Sequence, residues 1–364
     1  MVYKWVTMVS RYKMKHKVIQ GKAGFYKFSA SATNIARSSA TVITILLLIN
    51  ILPAEAQDAF LSQHYSNSIY LNPAFAGTSH MARFSMGYRN QFPAMGSTFV
   101  NYHAAFDMPS NLLQGGLGIN IMNDVLGNGT LHNLAIDGIY SYALVVNPEF
   151  TINAGFQASY VMRLLKTDGL IFPDGIDNLT GIYLGPNEEI SDQTVSFPDF
   201  AVGFLGYTRT WYAGVVVHHL ARPNISFSRN YREPLPRKYT IHAGLYIPIF
   251  EKRFGREAVR INPNLVVIQQ GSQRQINLGA EVIRKVFFAG ISTRQNIHFG
   301  LSTITIVAGY HDERMRFGYS FDFNMAKPWV SNVGNGAHEI AFIYRFEYKT
   351  KSNKKFKAIK CPKI

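Results

Sequence analysis

The chain of 364 residues holds one cysteine, Cys361, so no intrachain disulfide can brace it. Only 16% of its residues are charged, against roughly a quarter in soluble domains. Past residue 56, no apolar run reaches the about 20 residues that a membrane helix needs. Signatures of common chemistry are also missing. The glycine clusters Gly115-Gly116-Gly118, Gly127-Gly129 and Gly334-Gly336 sit in no strand–loop–helix unit, so they read as turn glycines rather than phosphate loops. His338-Glu339 begins like a zinc-protease helix, but Phe342 stands where the second histidine belongs. No G-x-S-x-G is present, and a hydrolase with its residues scattered over strand tips is the enzymatic alternative that remains. The expectation is a non-enzymatic protein with no cofactor and no metal.

Positive charge is abundant but localised. Of the formal net +15, residues 1–56 carry +7 and residues 347–364 carry +6, leaving +2 for everything between. A near-neutral body removes the main support for nucleic-acid binding. Residues 40–52 (ATVITILLLINIL) form a short apolar core behind a basic lead and ahead of Ala54-Glu55-Ala56. That three-part pattern predicts a secretory signal cut between Ala56 and Gln57, with Met14 as a candidate internal start. No cysteine follows the apolar core, which argues against a lipid anchor. An exported chain with no disulfide needs another source of rigidity.

Aromatic and small residues are plentiful: 20 Tyr, 26 Phe and 29 Gly. The clearest pattern is Phe150–Arg163, FTINAGFQASYVMR. Phe150, Ile152, Ala154, Phe156, Ala158, Tyr160 and Met162 alternate with Thr151, Asn153, Gly155, Gln157, Ser159, Val161 and Arg163. A period of two assigns one set to each face of a strand, and this run exceeds the usual five or six residues. A strand whose apolar face meets lipid must belong to a closed barrel, because hydrocarbon leaves no open edge satisfied.

The period recurs over 81–92, 97–107, 116–125, 130–145, 149–165, 198–206, 211–220, 237–248, 259–270, 274–283, 286–294, 299–311, 314–322 and 336–346. The fold class predicted is all-β: an outer-membrane antiparallel up-and-down barrel of about 14 strands, preceded by a signal peptide and a short N-terminal segment. Connections after even strands (146–148, 207–210, 284–285, 312–313) are tight, and those after odd strands (166–197, 221–236, 323–335) are long, as periplasmic turns and external loops should be. Two connections resist: 250–258 is long for a turn and 271–273 short for a loop. The organisation expected is therefore 1–56 lead and signal, 57–79 an N-terminal segment in the lumen or along the periplasmic rim, 80–346 the barrel, and 347–364 a basic periplasmic tail for an acidic partner.

Arg83, Arg89 and Gln91 share one strand face, and Asn101, His103 and Asp107 share another. Arginine facing lipid at the midplane would cost about 2–4 kcal/mol, so these faces are assigned to the lumen. Their groups either pair with one another or hold the N-terminal segment or a client's signal domain. His218-His219, on a strand over 211–220, would point to opposite faces and share no ion. The connection 166–197 carries Asp168, Asp174, Asp177, Glu188, Glu189 and Asp192, but no calcium-loop spacing, and reads as a solvated loop.

At the junction of the N-terminal segment and the first strand the residues become specific. Phe60-Leu61-Ser62-Gln63-His64-Tyr65 is followed by Tyr70-Leu71-Asn72-Pro73-Ala74-Phe75-Ala76-Gly77, then by Tyr88-Arg89-Asn90-Gln91 and Pro93. With Phe99, Tyr102, Gly115-Gly116-Gly118, Asp124, Gly127, Gly336, His338-Glu339 and Cys361-Pro362, nearly all of 57–364 resembles the PorP/SprF family of type IX secretion system membrane proteins. Phe92 departs from the tryptophan common there. The resemblance implies an outer-membrane barrel of a Bacteroidota-type bacterium, serving protein secretion and gliding motility. It also implies partners: a secreted adhesin-like client with a C-terminal targeting domain, periplasmic type IX motor or peptidoglycan-linking proteins, and outer-membrane lipid. The rival is a channel or hydrophobic-solute transporter, which the same barrel physics permits.

Overall fold

The computed structural model describes residues 58–79, 81–93, 98–167, 170, 176, 191–228, 230–250, 259–297, 300–325, 336–347 and 361–362. The region expected to be a signal, with Ala56 and Gln57, five acids of the 166–197 connection and residues 348–360 lie outside them. The chain enters through a helical turn α1 (Ser68–Leu71) and a 3-10 turn (Pro73–Phe75), and the rest is strand. The strands are β1 (Ala82–Gln91), β2 (Phe99–Ser110), β3 (Gly115–Leu126), β4 (Leu131–Asn147) and β5 (Phe150–Leu165). They continue as β6 (Gln193–Tyr207), β7 (Trp211–His218), β8 (Lys238–Leu245), β9 (Ile247–Phe250) and β10 (Val259–Gln270). The last are β11 (Gln273–Arg284), β12 (Phe287–Asn296), β13 (Gly300–His311), β14 (Met315–Asn324) and β15 (Gly336–Phe346).

Apart from β8 and β9, every strand pairs antiparallel with its neighbours in sequence, and β15 returns to β1 with Ala82 opposite Phe346 and Gln91 opposite Ala337. β8 and β9 both pair with β10 and form one stave interrupted at Tyr246, so the closed ring has 14 staves. Among the described residues, no helix is long and apolar enough to cross a membrane. The backbone is satisfied around the ring, the condition hydrocarbon imposes.

Facing follows the alternation. On β5, Thr151, Asn153, Gly155 and Gln157 are buried inside, while Phe156, Ala158, Tyr160 and Met162 are exposed outside. Tyr160 is 57% exposed and lies opposite Ile136 of β4, at 42%. Phe156 stacks on Phe200 of β6 with ring centroids 6.1 Å apart, part of an apolar belt that suits lipid.

Several strand boundaries differ from the sequence reading by a few residues, and two of the differences have a local cause. β6 begins at Gln193, five residues before the expected 198, because Gln193–Phe197 extends the ladder opposite Val161–Leu165. Pro198 stays within the strand opposite Tyr160. β7 stops at His218 because His219 takes a left-handed backbone, φ 57°. Counted by stave, with β8 and β9 as one, the connections after odd staves lie at one end of the barrel, the loop end, and those after even staves at the other, the turn end. By the usual asymmetry of outer-membrane barrels, the turn end faces the periplasm.

Candidate functional site: the occupied lumen

Residues 58–79 run through the interior from the loop end to the turn end. Most of the segment's residues are buried, and they contact inward-facing side chains of the strands. Its first described residue, Asp58, meets Lys238 and Gln270 beside the outer ends of β8 and β10. Its last turn meets β2, β3 and β4 near their periplasmic ends.

At the loop end, the Asp58 carboxylate accepts from Lys238 Nζ at 2.5 Å and lies 2.8 Å from His219 Nε2. His219 Nδ1 is 2.6 Å from Asp199. Burial alone would raise the Asp58 carboxyl, but His219 and Lys238 beside it hold it well below the usual carboxylate range. Burial opposes charge on His219, yet Asp58 and Asp199 overcome it and lift the imidazole to about 9. His218 is also buried and packs on Tyr70, 6.4 Å between centroids. The two imidazoles therefore both face inward, correcting the expectation of opposite faces: the left-handed turn at His219 breaks the alternation.

Below this, Glu339 of β15 accepts the backbone N–H groups of Ser62 and Gln63, both at 2.8 Å. Arg89 donates to Glu339 at 3.0 Å, to Asp322 of β14 at 2.7 Å and to Ser62 Oγ at 2.8 Å. Arg294 of β12 reaches the same hydroxyl at 2.9 Å and covers the Phe60 ring at 4.1 Å. A buried carboxylate is tolerable only when paired and hydrogen-bonded, and Glu339 is both. His64, pushed down to about 4 by burial, is neutral beside these charges.

Midway, Asn67 donates to Asn120 Oδ1 at 2.8 Å, and Asn120 donates to Asp137 at 2.7 Å. The Asn72 amide donates to the Phe204 carbonyl at 3.1 Å and lies 2.9 Å from His242 Nε2, while its oxygen caps Ala74 N–H at 2.9 Å. Pro73 opens the 3-10 turn, and Phe75, wholly buried, rests on Tyr212 and His242. Gly77 has φ 73° and donates its N–H to Asp107 at 2.9 Å, which pairs with Arg83 at 2.7 Å. A Cβ on Gly77 would lie 2.6 Å from Gly116 Cα, so the segment touches β3 backbone to backbone.

Of the residues singled out in the sequence, Arg83, Arg89, Asn101, His103 and Asp107 are buried on the inner faces of β1 and β2. Arg83, Arg89 and Asp107 meet the segment's clasps, Asn101 bonds Asp124, and His103 lies over Gly87. Tyr88 points outward, 5.2 Å between centroids from Tyr102, Asn90 shares its face, and Gln91 ends β1 opposite Phe99 and Ala337. Of the clasping residues, Asp58, Lys238 and Asp322 escaped the sequence reading, while His219 and Glu339 entered it in other roles. Their one signal was a polar residue at an alternating position.

The C-terminal tail also differs from expectation. Cys361 and Pro362 do not remain outside the barrel: Cys361 is buried against Phe75, Tyr207 and Tyr212, and its N–H donates to the Thr78 carbonyl at 3.4 Å. Among the described residues, no group of three or more His, Cys, Asp or Glu side chains is placed to hold a metal ion.

The family model described as type IX secretion system membrane protein PorP/SprF matches residues 54–344. The chain belongs to this family. No curated protein matches it. Among solved structures, the Ralstonia pickettii toluene transporter TbuX aligns at 12% identity over 77% of this chain and 93% of that one, TM-score 0.47. The CymD monoaromatic hydrocarbon channel aligns at 13% over 80% and 95%, TM-score 0.42. A Pseudomonas aeruginosa FadL homologue aligns at 12% over 75% and 94%, TM-score 0.38. As a PorP/SprF barrel, the chain is a membrane component of the secretion-system family, of a kind found in the outer membrane.

Proposed function

We propose that this PorP/SprF protein is a non-enzymatic outer-membrane component of type IX secretion and gliding motility in a Bacteroidota-type bacterium, supporting secretion or surface attachment of one adhesin-like client. The client's C-terminal targeting domain docks on the barrel, and the periplasmic motor or peptidoglycan-linking proteins engage the turn end, where the basic tail 347–364 adds charge.

The observation that supports this reading over a steady channel is the filled lumen. Solute passage needs residues 58–79 to leave an interior where they are fixed by Glu339, Asn72 and the Gly77–Gly116 contact. A scaffold needs no such movement. The test pairs two assays. In a strain lacking this chain, the client should be absent from the cell surface, and the purified barrel should give no steady conductance in planar bilayers. Normal display of the client together with a steady open pore would overturn the proposal in favour of a channel.

A further inference from the structure

Beside the outer part of residues 58–79, beneath the connection from β7 to β8, the barrel holds a cavity of about 140 Å³. Its walls divide by chemistry. Met122, Val161, Phe197 and Ile225 supply apolar surface, while Asp124, Asp137 and Gln157 supply hydrogen-bond acceptors. Two acceptor oxygens at the cavity are unused, and two of its carboxylates lack a cation. Asp124 accepts from the Asn101 amide and Asp137 from the Asn120 amide, with Ser159 and Gln157 also bonded to it, and neither carboxylate forms an ion pair among the described residues. Gln157 is 6% exposed, its amide N–H donates to Ser159 at 3.0 Å, and its carbonyl oxygen has no partner. The second oxygen of Asp199, also at the cavity, has none either.

The cations nearby are engaged elsewhere. Lys238 and His219 are taken by Asp58 and Asp199. Arg163 is bound to Asn133 Oδ1 at 2.9 Å and the Ile225 carbonyl at 3.1 Å, with its guanidinium over Phe227. A buried acceptor without a partner is costly, so the cavity is complementary to a group that brings donors and positive charge on a narrow apolar stem. Lysine and arginine side chains have that form: methylenes that cover apolar surface and a cationic head that only donates.

We propose that this cavity receives one lysine or arginine side chain of a protein segment docking on the loop end. For the identity of that segment, as part of the secreted client, the inference rests on the secretion reading; for the cavity's chemistry it does not.

The probes are Nα-acetyl-lysine methylamide and its Nε-acetylated counterpart, which differ in charge but retain the stem. Each is titrated by calorimetry into the full-length barrel in detergent. The charged probe should bind at least tenfold more tightly than the neutral one. Asp124→Asn with Asp137→Asn should abolish that preference, whereas Asp312→Asn, at the turn end, should leave it intact. Gln157→Met, which keeps the stem volume and removes the free carbonyl, should weaken the charged probe about threefold and serves if the double variant does not fold. Equal binding of the two probes, no binding of either, or a preference that survives both variants would overturn the proposal. Failure of the secretion reading has a separate signature, normal client display in the deletion strain.

Discussion

At the turn end of the lumen, Gly77 and Gly116 bring two backbones together and Phe75 seals against Tyr212 and His242. At the loop end, the same segment is held by charge, through Asp58, Lys238, His219 and the Arg89–Glu339–Asp322 cluster, beside an unfilled cavity. The first region is specified chiefly by close packing, with one buried ion pair, Arg83–Asp107, behind Gly77. The second is specified by ion pairs, whose strength depends on pH and on every partner being present. The difference predicts that the segment loosens from the loop end downward, and that a docking partner meets its adjustable half.

The comparison can be broken hardest at Arg89. Arg89→Leu leaves Glu339 and part of Asp322 buried without their cation, and a loss of about 3–5 kcal/mol is expected in urea unfolding of the reconstituted barrel. Gly116→Ala attacks the other end: its Cβ would overlap the Ala76 carbonyl, and overpacking there should cost about 2–3 kcal/mol with no dependence on pH. Asp58→Asn should cost about 1–2 kcal/mol, since this pair is partly exposed, and should raise hydrogen exchange at residues 58–66 while 72–78 stay protected. If 72–78 loosened first, the division of the lumen would be reversed.

The smallest effect expected is that of pH on the outer clasp. His219 has its pKa raised in the folded state, so its contribution is fully present below about 6.5 and is lost as pH rises through about 9. Asp58 is lowered, so its contribution is present above 3.8 and is lost as pH falls through its folded value. Exchange at residues 58–66 should therefore be most strongly suppressed between these limits and should rise above pH 9, with Gly77 unaffected.

Much of the barrel was legible because lipid outside and a polar lumen inside impose alternation on every strand. Thr151-Ile152-Asn153 states its own facing, and Arg83, Arg89 and Asp107 have no tolerable place but the interior. The loop-to-turn asymmetry came from connection lengths alone. What escaped was of another kind. Nothing in Asp58-Ala59-Phe60 announces that Lys238, 180 positions later, will take its charge. His219 misled because one left-handed residue cancels the alternation that the reading depended on. Cys361-Pro362 looked like the end of a charged tail, and its place under Phe75 depends on contacts across the whole chain. The motif Leu71–Gly77 was recognisable as a pattern, and the structure supplies its physical reason: a capped 3-10 turn and a glycine thin enough to meet a second backbone.

The central claim is that the chain fills its own lumen with residues 58–79, and disulfide trapping tests it most directly. Asn67 and Asn120, whose side chains meet at 2.8 Å inside the barrel, are replaced by cysteine in a Cys361→Ser background. Mild oxidation of isolated outer membranes should close an intramolecular disulfide in nearly every folded molecule. Two thiols that remain fully open to alkylation after oxidation would contradict it.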